Sequence, residues 1–494
     1  MKIKPRFSRP IFFVGLLFAL VTKNNLSADS RIDSWLTTYS GKYARIYATT
    51  ADLNSSNAVS TWSRNSLSQS LPAYCGVQEI YSSTSWVYIR STGLGSQVMG
   101  PWYLNAGKTM LFPNVPVNKK AFYRIPKSPT VPGTKTLTGL GAIGYFVDGV
   151  AMFDNRDAFY WNGTSEGNGS GYWNRDAYVN ESVTFDPALA HQENSGTYHY
   201  HANPIALRYL LGDNILFNNA TKTYSENIAN TNLKHSPIVG WVRDGHPVYG
   251  PYGYANATNT NSFVRRIISG YVSRNGQNGT DNLSTNGAVR STIPAWAQRL
   301  YAGTPISGPT VSATYPFGRY LEDNAYLGDL TNSFTSQRYQ QGVDFDLDEY
   351  NGRFCYTPEY PNGIYAYFVT ISSNGAPAFP YNIGRAFYGS PTGNTVSTLA
   401  ESVTTNFVGG TNATLQLNGP ILNSSNSTVT LVWSSVEGGT YSVESKTNLA
   451  NGWNTKASNI VAVGIIAQAT TNRTGDIEFY RANRTGLANH DPVK

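Results

Sequence analysis

Short apolar stretches, many of them alternating with polar residues, recur along most of the chain between turn-forming residues. Residues 77–81 and 86–90 are two such stretches joined by the polar residues 82–85, and this pattern predicts a β-hairpin. Six further strands are predicted on the same grounds, at residues 143–147, 197–201, 237–242, 365–371, 428–434 and 440–445.

The composition supports a mainly β fold with long loops and short helices. Charged residues make up only 14% of the chain and aromatic residues 13%, with 34 Tyr and 46 Gly, whereas a helical bundle would be rich in Leu, Ala, Glu and Lys. One short helix is predicted, because Asn203 and Pro204 provide a start and Gly212 an end.

Changes in composition divide the chain into five parts. Residues 1–28 are a leader, 29–70 a short lead-in segment, and 71–390 a large β-rich domain. Residues 391–427 are rich in Ser, Thr, Asn and Gly, which is typical of a linker. Residues 428–485 contain strands with a period of two residues and predict a small C-terminal β-sandwich for attachment or spacing.

The leader has the layout of a secretory signal peptide. Basic residues come first, an uncharged apolar run follows at residues 11–21, and small residues end the segment near Ala28. The apolar run is shorter than the roughly 20 residues that a membrane-spanning helix needs. We therefore expect a secreted or extracytoplasmic protein without a membrane span after cleavage; a retained anchor is the alternative.

The charge of the chain gives no sign of nucleic-acid binding. The formal net charge is +7, and five Lys and Arg residues with no acidic residue lie within residues 1–28. The remainder is therefore close to neutral and has no basic stripe that could follow a phosphate backbone. We expect no nucleic-acid partner.

Two cysteines remain after the leader, Cys75 and Cys355. In an exported protein a single pair of cysteines predicts one disulfide. It would join the beginning of the large domain to its end. Two separate buried thiols are the alternative.

A cluster of histidines is the strongest chemical signal in the sequence. Five of the six histidines lie between His191 and His246. Because residues two apart in a strand share a face, His199 and His201 are expected to converge on one side, with Tyr198 and Tyr200 on the other. Two imidazoles at this spacing can share one metal ion.

Other residues are predicted to complete this site. His191 precedes the pair across a turn and is expected to fold back as a third ligand, with His235 and the carboxylate of Glu349 as further ligands. Asp244 and Asp348, like the two tyrosines, are expected to support the ligands. Such a set suits Zn, Cu or non-haem Fe. The alternative is that the histidines pack against tyrosines and bond to carbonyl oxygens.

A second acidic feature lies at residues 344–352, where Asp alternates with apolar residues. Hard cations such as Ca²⁺ prefer several carboxylate oxygens. The segment departs from the EF-hand loop, because Glu349 stands where glycine is required and no glutamate occupies the twelfth position. Calcium binding and a turn with solvated charges are both open interpretations.

Several ordered motifs resemble the YHYH-domain proteins. They include Tyr198-His199-Tyr200-His201, the segment 235–251 with its Asp-Gly turn, and the segment 347–367. The resemblance covers roughly residues 71–390 and implies that this part is a YHYH domain. It places His199 and His201 on the motif that gives the family its name, and it implies no particular reaction.

Three functions from different classes are compatible with these observations. The first is a secreted metal-binding protein, and the second is a metal-dependent hydrolase or oxidoreductase using the same histidines. The third is a surface adhesin or glycan-binding protein, since ten Trp and 34 Tyr offer stacking surface for polysaccharide. The sequence contains no nucleophile elbow, phosphate loop or dinucleotide fingerprint.

Overall fold

The computed structural model describes residues 29–487 and 489–494. It is mainly β, with 33% strand and 9% helix, so the predicted fold class with short helices is confirmed. Within these residues no helix is both long and apolar enough to cross a bilayer. The predicted signal peptide, residues 1–28, lies outside the described residues.

The helices are all short. They are α1 (Ser30–Asp33), α2 (Thr50–Ser55), α3 (Ala177–Glu181), α4 (Ile205–Leu210) and α5 (Ala295–Leu300). Single 3₁₀ turns occupy Ser34–Leu36, Ser182–Thr184, Leu321–Asp323, Leu327–Asp329 and Gly410–Asn412. The predicted helix is α4; its N-cap position is Pro204 and no side chain caps it, because the Asn203 side chain instead bonds to Arg208 and Glu226.

Thirty strands form the described part of the protein. The first fifteen are β1 (Trp62–Arg64), β2 (Leu67–Gln69), β3 (Val77–Ser82), β4 (Trp86–Ser91), β5 (Ala121–Pro126), β6 (Ala142–Phe146), β7 (Ala151–Phe153), β8 (Arg156–Trp161), β9 (Glu166–Asn168), β10 (Asn174–Asp176), β11 (Ala190–Gln192), β12 (Tyr198–Tyr200), β13 (Ile215–Asn218), β14 (Thr223–Glu226) and β15 (Ile238–Val242). The others are β16 (Pro247–Tyr249), β17 (Tyr252–Tyr254), β18 (Val264–Arg266), β19 (Tyr271–Ser273), β20 (Asn324–Tyr326), β21 (Gly352–Cys355), β22 (Ile364–Phe368), β23 (Asn394–Thr395), β24 (Thr404–Val408), β25 (Ile421–Asn423), β26 (Thr428–Ser434), β27 (Thr440–Lys446), β28 (Asn454–Val461), β29 (Ile466–Asn472) and β30 (Phe479–Gly486). All the strands predicted from the pattern appear, with ends shifted by a few residues.

The largest sheet has eight strands in the order β11-β12-β7-β6-β15-β16-β22-β21. Two of its pairings, β12 with β7 and β16 with β22, are parallel, and the others are antiparallel. Residues of this sheet and of a second, five-stranded sheet share one large hydrophobic core. The β11–β12 hairpin, which carries the predicted histidines, therefore forms one edge of the main sheet.

The five-stranded sheet corrects the predicted linker at residues 391–427. Its order is β23-β5-β4-β3-β24, and the outer strands β23 and β24 both come from that segment. Strands pair through backbone groups, so a Ser/Thr/Asn-rich segment can add an edge strand without apolar side chains. The lead-in is also built into the fold, since Trp35 is buried in the main core against Tyr123.

Two three-stranded sheets, β25-β26-β29 and β28-β27-β30, follow with their own hydrophobic core. Along β26 the side chains of Val429, Leu431 and Trp433 are buried, and the residues between them are half-buried. This alternation is the period of two that predicted the strand. The segment between β26 and β27 contacts the N-terminal part, where Glu437 accepts a 2.7 Å hydrogen bond from the Tyr43 amide.

The predicted disulfide is wrong, because Cys75 and Cys355 are both free and buried. Cys75 directly precedes β3 of the five-stranded sheet, and its Sγ lies 3.2 Å from the Ser40 hydroxyl. Cys355 ends β21, at the far edge of the eight-stranded sheet. The alternative interpretation of two separate buried thiols therefore holds.

Candidate metal centre

A tight turn between β11 and β12 sets the geometry of the site. Gly196 adopts φ +81°, and a Cβ added there would lie 2.9 Å from a methyl carbon of Val117. A side chain would therefore be both strained and crowded at this position. The turn pairs the two strands so that His191 stands directly opposite His199.

The structure brings His191, His199 and His201 together, as predicted. All three are buried, and one ring nitrogen from each lies within 4.8 Å of the others. The Nε2 atoms of His199 and His201 are only 3.0 Å apart. Tyr198 and Tyr200 point away from the cluster, and both hydroxyls accept a hydrogen bond from the Gln97 amide.

The other nitrogen of each ring faces an oxygen. His199 Nδ1 lies 2.9 Å from the Thr197 carbonyl oxygen, and His201 Nδ1 lies 2.6 Å from the Asp154 carbonyl oxygen. A carbonyl oxygen can only accept, so in both rings Nδ1 carries the hydrogen. Each Nε2 then has a free lone pair unless the ring is protonated.

The same tautomer follows for His191. Its Nδ1 lies 2.7 Å from the Thr184 hydroxyl oxygen, and that hydroxyl donates its single hydrogen to the Glu181 carbonyl at 2.7 Å. Thr184 can therefore only accept from His191, whose Nδ1 must donate. In the neutral form of all three histidines the lone pair of Nε2 is therefore left for the space between the rings.

Glu181 also reaches the cluster, which the sequence reasoning missed. It ends α3, and its Oε2 lies 3.2 Å from His201 Nε2 and 3.5 Å from His191 Nε2. Its side chain is 28% exposed, so it stands between the histidines and solvent. The only sequence signal was its place on the segment that leads into β11, and that signal does not distinguish it from other nearby acids.

Burial and mutual proximity keep two of the rings neutral. Burial lowers the pKa of His191 well below the ordinary value, and the charges of His199 and His201 add to this effect. Burial, followed by the charge of His201, lowers the pKa of His199 to about 3. Burial also disfavours protonation of His201, but the Glu181 carboxylate and the Asp154 carbonyl raise its pKa. Neutral imidazole is the form that binds a metal ion.

Aromatic rings surround the cluster. Phe153 stacks on His199 with ring centroids 3.8 Å apart, and Phe185 meets His191 edge-on at 4.8 Å. These rings fix the orientation of the imidazoles and shield them from bulk water. An apolar surrounding of this kind strengthens electrostatic interactions with a bound cation.

Two predicted ligands lie elsewhere. His235 bonds through Nδ1 to the Ser236 carbonyl and packs between Tyr249 and Tyr254. The Glu349 carboxylate forms a 2.5 Å ion pair with Arg299 instead of meeting the histidines. Sequence spacing could not exclude either residue, because both belong to segments whose place in the sheet depends on long-range strand pairing.

The predicted supporting residues act at a distance from the histidines. Asp244 accepts from the Tyr367 hydroxyl at 2.6 Å, and Asp348 accepts from the Tyr365 hydroxyl at 3.0 Å, so both carboxylates brace β22. Tyr198 donates to a buried carboxylate, Asp186, at 2.8 Å. The two tyrosines therefore hold the back of β12, whereas Thr184 and two carbonyl oxygens hold the rings themselves.

The acidic segment at residues 344–352 forms no calcium loop. Asp344 accepts from the Gln340 amide, Asp346 pairs with Arg265, and the other acids have the separate partners given above. Across residues 29–487 and 489–494, the three histidines are the one group of three or more potential ligands that lies close enough to hold an ion. The segment is a turn whose carboxylates serve the fold.

Comparison with known proteins places this site within a family domain. A family model described as YHYH protein matches residues 122–379, which is more than half of the chain. The match includes the three histidines and Glu181, and it begins and ends inside the 71–390 range of the resemblance. No curated protein and no solved structure matched the chain significantly.

Proposed function

We propose that this chain, which belongs to the YHYH protein family, binds one transition-metal ion through the Nε2 atoms of His191, His199 and His201. Zn, Cu and Fe are the candidate ions, since all three accept imidazole nitrogen. The observation that carries the proposal is the meeting of three free lone pairs in a buried space. Two of these nitrogens, Nε2 of His199 and Nε2 of His201, lie only 3.0 Å apart.

The spacing of His199 and His201 agrees with two ligands of a common ion, and a ring nitrogen of His191 lies within 4.8 Å of both. Metal–nitrogen bonds of about 2.0–2.1 Å place two bound nitrogens roughly 2.8–3.4 Å apart for angles between square and tetrahedral. Buried lone pairs that face one another without a donor or a cation would repel and would lose their hydration. An ion between the rings removes both costs.

A proton is the competing occupant of this space. The raised pKa of His201 allows an Nε2–H that donates to His199 or to Glu181. One such hydrogen satisfies a single contact, however, and leaves the lone pair of His191 without a partner. A metal ion accepts all three nitrogens at once, and for this reason we favour it.

The test is metal content after loading. Protein purified without chelator and dialysed against Zn²⁺, Cu²⁺ or Fe²⁺ in turn is expected to retain one ion per chain for at least one metal. His199→Ala and His201→Ala should each lose it. His235→Ala is the matched control, because it removes a half-buried histidine outside the cluster, and it should retain the ion. Sub-stoichiometric Zn, Cu and Fe in the unaltered protein would refute the proposal.

We also propose that the protein is exported. The support is the order of basic, apolar and small residues within residues 1–28. Expression in a secretion-competent host should yield extracytoplasmic protein whose N-terminus lies near residue 29. Leu17→Arg, which places a charge in the apolar run, should leave the protein uncleaved inside the cell. Uncleaved protein in the cell from the unaltered chain would contradict export.

A further inference from the structure

We infer that Glu181 is the fourth ligand of the same ion and that the resulting set of three histidines and one glutamate is a closed tetrahedral site for Zn²⁺. This inference rests on the proposed metal binding by the three histidines. It goes further by naming the residue that fills the last position, the metal that suits the set, and the consequence for chemistry.

Three of the six distances among the four donors are close to the edges of a tetrahedron. Glu181 Oε2 lies 3.2 Å from His201 Nε2 and 3.5 Å from His191 Nε2, and His201 Nε2 lies 3.0 Å from His199 Nε2. Four ligands at about 2.0–2.1 Å from a tetrahedral ion are separated by roughly 3.3–3.4 Å. These three distances lie within about 0.4 Å of this value, whereas the nitrogens of the three histidines span up to 4.8 Å.

The negative charge of Glu181 also favours a cation between the donors. Its carboxylate oxygen faces two nitrogens whose hydrogens lie on the opposite side of each ring. A hydrogen on His201 Nε2 would satisfy one of these contacts, whereas a cation between the donors makes both of them attractive. The carboxylate is therefore positioned for an ion rather than for the neutral rings.

The backbone couples Glu181 to the histidines. Its carbonyl oxygen accepts from the Thr184 hydroxyl, and the same hydroxyl accepts from His191 Nδ1. The end of α3, the following 3₁₀ turn and His191 therefore form one hydrogen-bonded unit. The main chain of Glu181 therefore helps to fix the ring of His191 through the Thr184 hydroxyl.

A closed set of this kind favours holding the ion over activating water. With four protein ligands a tetrahedral ion keeps no position for a water molecule, whereas catalytic zinc sites use three protein ligands and leave one position open. Zn²⁺ readily takes four N and O ligands in a tetrahedron, because its d electrons impose no other geometry. Cu²⁺ prefers a square-planar arrangement. The exposed side of Glu181 is then the route by which the ion enters and leaves.

Cobalt substitution tests the coordination directly. Co²⁺ in place of Zn²⁺ gives visible absorption that reports its ligands, and azide changes this spectrum when it binds an open position. In the unaltered protein we expect a tetrahedral spectrum that azide does not change. In Glu181→Ala we expect a spectrum that azide does change, together with a loss of Zn²⁺ affinity. That loss should at least equal the roughly 10–100-fold that removal of an outer-shell partner costs, measured by competition with a chromophoric chelator.

Two further variants separate ligation from charge. Glu181→Asp keeps the charge but shortens the side chain, so it should respond to azide as Glu181→Ala does, and it carries the test if the alanine variant does not fold. Asp157→Asn removes a buried carboxylate near the cluster that pairs with Arg175 rather than with a histidine, and its spectrum should remain insensitive to azide.

The outcomes distinguish the inference from the proposal on which it rests. If the unaltered protein binds none of Zn²⁺, Co²⁺, Cu²⁺ and Fe²⁺, the proposed metal binding fails; if it binds Cu²⁺ or Fe²⁺ alone, metal binding stands and the assignment of Zn²⁺ is overturned. If it binds one ion but its cobalt spectrum already responds to azide, or if Glu181→Ala and Glu181→Asp match the unaltered protein in spectrum and affinity, metal binding stands and the role of Glu181 is overturned.

Discussion

At the scale of single residues, the hydrogens on the imidazoles decide what the cluster can do. Each Nδ1 donates to a fixed oxygen, and Thr184 is the one side chain among these three acceptors. Outer-shell hydrogen bonds of this type fix the tautomer and orientation of a ligand. Thr184 is therefore the position at which a small change should weaken metal binding without removing a ligand.

Thr184→Val is expected to lower metal affinity by about 10–100-fold, the usual cost of losing an outer-shell partner. Valine has nearly the same shape but cannot accept from His191 Nδ1. Competition with a chelator measures the effect. Thr470→Val is the matched control, because it removes a hydroxyl that bonds to Thr430 in the C-terminal module. Equal affinity in the Thr184 and Thr470 variants would contradict the assigned tautomer.

Part of this residue-scale picture could be predicted from the sequence. The two-residue period placed His199 and His201 on one face and the tyrosines on the other, and the structure confirms this. The sequence could not identify Glu181, because its approach depends on how α3 packs over the end of the sheet. The sequence analysis named Glu349 as the carboxylate ligand instead, and the structure pairs that residue with Arg299.

At the scale of secondary-structure elements, the β11–β12 hairpin brings the histidines of the site together. A turn containing Gly196 was expected from the sequence, but the pairing of His191 with His199 depends on the register that the turn sets. The edge position of this hairpin arises from the parallel contact of β12 with β7. Long-range contacts of that kind leave no local signal in the chain.

Gly196→Ala tests the hairpin. The positive φ alone costs about 1–2 kcal/mol for a residue with a side chain, and the contact at 2.9 Å with Val117 adds to it. Gly212→Ala is the control, since Gly212 has φ +72° but open space around an added Cβ. Denaturant unfolding should give a larger loss of stability for Gly196→Ala, with loss of the metal. Equal losses in the two variants would contradict the crowding argument.

At the scale of the whole molecule, several carboxyl groups are enclosed in the interior of the protein. Burial raises the pKa of Asp148, Glu322 and Asp348 to about 7 in each case. Their ordinary values are near 4, so between pH 4 and 7 the folded protein binds more protons than the unfolded chain. Stability therefore falls as the pH rises through this window.

Metal-free protein is accordingly expected to melt at a lower temperature at pH 8.5 than at pH 5.5. One pKa unit corresponds to about 1.4 kcal/mol in the free energy of unfolding. A fraction of these pKa shifts is therefore enough to change the melting temperature measurably. Asp148→Asn should reduce the difference, because Asp148 Oδ2 has no hydrogen-bond partner among the described residues and the amide carries no charge. An unchanged or higher melting temperature at pH 8.5 would contradict this expectation. Melting followed by circular dichroism provides the measurement.

A second set of carboxylates limits stability in acid. Glu166, Glu193 and Glu478 are partly buried, which opposes ionisation, but hydrogen bonds lower the pKa of each to about 2. Their contribution is complete above about pH 4.5 and is lost as the pH falls toward 2. Together the two sets predict a stability maximum in mildly acidic solution, which the same melting series locates.

The fold class and eight of the thirty strands in the described residues could be predicted at this scale, whereas the assembly of the sheets could not. Residues 391–427 have the composition of a linker, yet they supply both edge strands of the five-stranded sheet. The predicted export favoured a disulfide, yet Cys75 lies just before β3 of the five-stranded sheet, Cys355 ends β21 of the eight-stranded sheet, and both remain free. In both cases the composition was read correctly, but the pairing of distant strands decided what these residues do.

The most direct test of the central claim is crystallography of the zinc-loaded protein with anomalous diffraction on both sides of the zinc absorption edge. We expect a single strong anomalous peak among the Nε2 atoms of His191, His199 and His201, at about 2.0–2.1 Å from each nitrogen. Density for the three rings with no anomalous peak between them, in crystals grown with zinc in excess, would contradict the claim.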